Sequence, residues 1–130
     1  EKQLFSNIEC YHFGSVDKGL LTIEGKLVKG VDMKLAERAI DEEIQHLKAN
    51  DIGEKELEKV KNKTESMIAF EDMSVMNRAN SLAYYELLGD AAMMNTELEK
   101  YNAVSPQDIL AESRRIFNDN NSNTLYYLAQ

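Results

Sequence analysis

Cysteine occurs once in the 130 residues, as Cys10. No disulfide can therefore form within the chain, and its redox compartment is left open. Cys10 reads as a small buried hydrophobe on a strand. A reactive thiol would need a base and an electropositive setting, and His12, two residues along the same strand face, is its only sequence neighbour of that kind. Histidine is nearly as scarce, with only His12 and His46, far apart in sequence. Positive charge is in deficit: 15 Lys and Arg against 23 Asp and Glu give a net charge of −8. That balance, with no basic cluster, argues against a nucleic-acid or anionic-membrane partner. No apolar run approaches the roughly 20 residues that span a bilayer. The opening EKQLF has neither an initiating Met nor a signal-like segment, so the chain reads as excised from something longer. Low complexity and internal repeats are also missing.

What remains is ordinary globular composition, 43% hydrophobic and 29% charged, enough for a single domain. Leu4 to Phe13 is aromatic and β-branched, and the turn formers from Gly14 to Gly19 end it. Leu20 to Val28 alternates, with Leu21, Ile23, Gly25 and Leu27 on one face and Thr22, Glu24 and Lys26 on the other. Together they predict an antiparallel hairpin with one wet face. Asp32 is a good N-cap for a helix to about Asn50 with the stripe Ala36, Ile40, Ile44 and Leu47. Asp51-Ile52-Gly53 breaks it. A charged helix from Glu54 follows, with Leu57, Val60, Met67 and Ile68 as its buried side. The spacing then predicts a helix from Ser74 to Leu88 closed by Gly89, and another from about Ala92 to Ala103. Ser105-Pro106-Gln107-Asp108 opens a last helix in the order N-cap, N1, N2, N3, with Ile109, Leu110, Ile116 and Phe117 inward. Thr124 to Ala129, TLYYLA, reads as a closing strand.

Arg78 and Tyr85 stand out within NRANSLAYYELLGD. Seven residues turn a helix by about 700°, roughly 20° short of two full turns, so both side chains leave one face. A planar fork of donors and a phenolic hydroxyl can together hold a carbonyl oxygen or a developing oxyanion. The plainer readings are a surface ion pair for Arg78, for example with Glu71, and a core aromatic for Tyr85, with Tyr84 as the alternative phenol. His46 closes a single Glu43-x-x-His46 step, where a di-iron bundle needs two, so it reads as a solvated helical histidine. Met67, Met73, Met76, Met93 and Met94 read as core filler before they read as a pliable groove. The glycosylation pattern at Asn62 falls within a helix, and the one at Asn120 is short enough to arise by chance.

The order of these pieces resembles the second half of a domain of the M16 zinc metallopeptidases, the insulinase, pitrilysin and processing-peptidase relatives. DKGLLTIEG, NDIGEKELEKVKNK, NRANSLAYYELLGD, the helix with Glu97 to Tyr101, NAVSPQDILAESRRIF and NTLYYLA carry the likeness over essentially all 130 residues. The resemblance implies an α+β fold: an antiparallel sheet with helices packed on one face, forming the C-terminal part of an M16-like domain. It implies that Tyr85 donates a hydrogen bond to a tetrahedral intermediate and that Arg78 engages the substrate backbone. It also implies a peptide substrate, and a second such domain in the same chain or a partner subunit. The HxxEH motif is missing here, so the resemblance implies that zinc is bound outside these residues and that the chain alone is inactive. The alternative it leaves is a non-catalytic homologue acting as a partner or scaffold subunit. An unrelated α+β interaction domain is the third reading.

Overall fold

The computed structural model describes residues 3–14 and 16–128. It is α+β: two strands, β1 (Phe5–Phe13) and β2 (Leu20–Leu27), then five helices. These are α1 (Met33–Ala49), α2 (Glu54–Glu71), α3 (Val75–Leu87), α4 (Glu97–Ala103) and α5 (Pro106–Ile116), with a 3₁₀ segment, Ala91–Thr96, between α3 and α4. The chain divides into two compact units. One holds the described residues up to His46 and from Phe117; the other is Leu47–Ile116.

In the first unit the hairpin is antiparallel as expected, with Cys10 opposite Ile23 and His12 opposite Leu21. A bulge between Phe5 and Asn7 shifts the register, and the Ser6 hydroxyl donates to the Lys26 carbonyl at 3.0 Å beside it. On the wet face the Tyr11 hydroxyl donates to Glu24 at 3.0 Å, a diagonal cross-strand pair. Gly19 is required where the turn meets β2: a Cβ there would lie 1.8 Å from the Phe13 carbonyl oxygen. Cys10 is exposed, not buried. Among the described residues the sheet has two strands, so nothing packs over that stretch of β1.

The Asp32 carboxylate caps α1, accepting from the Leu35 N–H at 2.9 Å. Ala36 is buried and Ile40 and Ile44 are half-buried, matching the apolar stripe. The expected closing strand is not formed: residues 124–128 pair with no strand, and Ala129 lies outside the described residues. Side chains hold the segment instead. The Lys34 ammonium donates to the Tyr126 hydroxyl at 2.5 Å and to Glu37 at 3.0 Å, and lies 4.7 Å from the Tyr126 ring centroid. The Tyr126 hydroxyl in turn donates to Glu37, which with the Lys34 contact holds that carboxyl below its usual range. Strand-forming composition is satisfied as a ladder only where a neighbouring edge is in reach.

In the second unit, α5 closes the end of α1. Ser113, 4% exposed, donates to the Leu47 carbonyl at 3.3 Å and to the Leu110 carbonyl at 2.8 Å, and Arg114 donates to the Lys48 carbonyl at 2.8 Å. These are terminal helix carbonyls with no partner in their own helix. Lys61 of α2 does the same for Asn102 at the end of α4, at 2.7 Å. The expected buried side of α2 is only partly buried: Leu57 is 7% exposed and Ile68 half-buried, whereas Val60 and Met67 are exposed. Met73 and Met76 are exposed as well, so the core-filler reading holds only for the half-buried Met93 and Met94. Amphipathic spacing marks the apolar side of a helix; cover depends on what lies opposite.

The Ser105 start of α5 forms a capping box. Asp108 accepts from the Ser105 N–H at 2.8 Å and from its hydroxyl at 2.6 Å, and the Asp108 N–H donates to the Ser105 hydroxyl at 3.2 Å. Bonds from Ser105 hold the Asp108 carboxyl below its ordinary value. A depressed carboxyl contributes stability that is fully present above the unfolded pKa of about 3.9 and lost as pH falls through the lower folded value. Ser105→Ala is expected to destabilise the unit by about 1 kcal/mol near neutral pH. Urea unfolding across an acid pH series checks this, and the gap between variant and wild type should narrow on the acid side.

Candidate functional site

The helix that carries Arg78 and Tyr85 is fixed at both ends by its own sequence. The Ser74 hydroxyl caps it, accepting from the Asn77 N–H at 3.3 Å. At the other end Gly89 takes φ +119°, a conformation that favours glycine. The Gly89 N–H donates to the Glu86 carbonyl at 3.0 Å and the Asp90 N–H to the Tyr85 carbonyl at 3.1 Å, the double closure of a Schellman motif. Asp90 then starts the 3₁₀ segment by accepting from the Ala92 N–H at 2.8 Å, and Glu86 accepts from the Ala91 N–H at 3.2 Å. Each residue between α3 and the 3₁₀ segment thus has a pinned backbone, and α4 opens directly after that segment, at Glu97.

α3 carries both expected residues, and they meet different surroundings. Arg78 is exposed, and among the described residues its guanidinium forms no ion pair, with Glu71 or any other acid. Tyr85 is half-buried, its ring edge-on to Tyr84 with centroids 5.7 Å apart. Burial first, then a hydrogen bond to the Glu97 carboxylate, push its phenol well above the ordinary tyrosine value. The charges that Glu97, Tyr101 and Tyr84 place around it act in the same direction. Tyr85 is therefore a neutral hydroxyl donor at any working pH, as stabilising an oxyanion demands. Tyr84, the alternative phenol, is 44% exposed.

Glu97 was not visible from the sequence. An acid in the first turn of a helix suits the macrodipole and carries no further signal. Its pairing with Tyr85 depends on the closure at Gly89 and the 3₁₀ segment, where a continuous helix from about Ala92 was expected. Two open depressions, of about 450 and 470 Å³, lie along α2, α4 and α5 and include no residue of α3. His46 is exposed, consistent with a solvated helical histidine. Cys10 and His12 form no hydrogen bond with one another.

No protein-family model matches the chain, and no curated protein matches it in sequence. Solved structures do match in fold. A protease from Helicobacter pylori superposes with a TM-score of 0.81 at 17% identity, over 91% of this chain and 28% of its own. A "putative zinc protease" from Bordetella pertussis Tohama I gives 0.83 at 16% identity, over 98% of this chain and 71% of its own. The inactive peptidase domain of a zinc protease of the same description from Bordetella parapertussis gives 0.75 at 16%, over 85% and 59%. The fold is thus that of protease domains, and the chain spans just over a quarter of the Helicobacter protein's length. Zinc was tested against the chain's own donors. No group of three or more His, Cys, Asp or Glu among the described residues stands close enough to hold a metal, so these residues do not fit the ion.

Proposed function

We propose that this chain is part of a zinc peptidase of the M16 kind, supplying chamber wall and substrate contacts while the metal is held by another domain. That domain is a second one of the same type, in the same polypeptide or in a partner subunit, and the substrate is a peptide. Zinc, when bound there, supplies the activated water for hydrolysis. Within this chain Tyr85 donates its hydroxyl to the oxygen that gains charge as the carbonyl is attacked, and Arg78 hydrogen-bonds the substrate backbone beside it. The observation that carries the reading is an unpaired guanidinium and a neutral phenol on one capped helix, in a fold shared with proteases. The second reading, a non-catalytic partner or scaffold subunit, is favoured by one fact: the Bordetella parapertussis neighbour is described as an inactive peptidase domain.

Hydrolysis of a quenched fluorescent peptide separates the two. The protein carrying this chain together with its metal-binding domain is expected to cleave the peptide and to lose activity to a chelator. The 130-residue chain alone, with zinc added, is expected to do nothing. Cleavage by the chain alone would refute the division of labour. No cleavage by the complete protein would leave the scaffold reading.

A further inference from the structure

We infer that Glu97 is the positioning residue for Tyr85: its carboxylate is the resting acceptor of the phenolic O–H, which a substrate oxygen must displace. The role given to Tyr85 rests on the functional reading above; the pairing itself does not. Its foundation is the pinned connection between α3 and α4. The Tyr85 carbonyl is tied to the Asp90 N–H at 3.1 Å, and Asp90 and Glu86 hold the first N–H groups of the 3₁₀ segment that ends where α4 begins with Glu97. Phenol and carboxylate are both half-buried and are brought together by backbone closures, not by long flexible loops.

The groups facing the phenol are of one kind. Glu97 and Tyr101 sit one turn apart on α4, and Tyr84 adjoins on α3 with its ring at 74° to that of Tyr85. None is a cation, so nothing nearby favours a phenolate, and burial disfavours it further. A carboxylate in this place has two effects. It fixes the direction of a hydroxyl that would otherwise rotate freely, as outer partners orient the ligands of a metal site. It also keeps the proton on the phenol, since a donor that has lost its proton cannot stabilise an oxyanion. No proton changes owner when substrate arrives: the O–H turns from the Glu97 oxygen to the substrate oxygen, and Glu97 is left to water.

Incorporation of ring-fluorinated tyrosine into the 130-residue chain tests this without any activity. The Tyr85 resonance, assigned by its loss in Tyr85→Phe, is expected to shift with a single inflection on acid titration, as Glu97 gains a proton and becomes a weaker acceptor. Glu97→Gln is expected to remove that inflection while the resonance stays dispersed. Glu97→Asp should keep an inflection at a changed pH, and it decides the matter if the Gln variant does not fold. An inflection that survives Glu97→Gln, is missing in the wild type, or stays at the same pH in Glu97→Asp would overturn the assignment. Failure of the functional reading would show differently, as unchanged turnover in Tyr85→Phe with the fluorine result intact.

Discussion

Tyr85→Phe is expected to lower kcat of the complete peptidase by about tenfold to a thousandfold, the loss typical of one oxyanion donor, with little change in KM. The substitution removes one oxygen and keeps the ring, so the edge-on contact with Tyr84 survives. The folded chain should barely notice. Glu97 loses a partner, but it is half-buried and can turn to water, so the stability change should stay within about 1 kcal/mol. That separation gives the experiment its value. A donor that acts only as charge develops lowers kcat and kcat/KM together. Arg78→Lys should show the other pattern, a raised KM, since an ammonium retains the charge and loses the two-pronged geometry. Stopped-flow turnover of a quenched peptide, with urea unfolding as the control, measures both. Unchanged kcat in a folded Tyr85→Phe variant would remove Tyr85 from the chemistry and leave the scaffold reading in front.

Elements defined by their own local chemistry were legible in the sequence. Asp32, Ser74 and Ser105 cap the helices they were expected to cap, and Gly89 closes α3. The strand alternation from Leu21 to Leu27 gave the hairpin, though not its bulge between Phe5 and Asn7. Each of these signals acts within a few residues. What depends on distant partners was not legible. TLYYLA has strand composition, but residues 124–128 find no edge to pair with. Cys10, Val60, Met67, Met73 and Met76 have the chemistry of buried residues and are exposed among the described residues. Ser113 shows the converse. A serine in a helix reads as a surface residue, yet it is buried because the end of α1 presents a carbonyl to it.

The candidate site divides along the same line. Seven-residue spacing put Arg78 and Tyr85 on one helix, and both lie on α3. Spacing could not distinguish a paired guanidinium from a free one, and it gave no sign that a carboxylate twelve residues on would meet the phenol. That meeting follows from a turn of the chain through Gly89 and Asp90, and a single-residue conformational choice there decides which acid faces Tyr85.

Leu57→Ala is expected to cost about 2–4 kcal/mol, whereas Val60→Ala one turn further along α2 should cost well under 1 kcal/mol. The two residues are indistinguishable by pattern: both are aliphatic and both were expected on the buried side of α2. Leu57 is 7% exposed and Val60 51%. Truncating Leu57 removes transferred apolar surface and leaves a void that the pinned surroundings cannot fill by collapse. Lys61, one turn on, is anchored to the Asn102 carbonyl, and the capping box at Ser105 and Asp108 fixes the start of α5 opposite. At Val60 the removed methyl groups already face solvent, so neither term applies. A loss of 2–4 kcal/mol is a large share of the roughly 5–15 kcal/mol that holds a domain together. Ala36 and Leu57 are the buried hydrophobic residues among those described, so few contacts exist to absorb the loss. Urea unfolding of both variants, followed by far-ultraviolet circular dichroism, gives the comparison. Equal midpoint shifts would mean that Leu57 is no better covered than Val60 and that α2 is held by its ends alone.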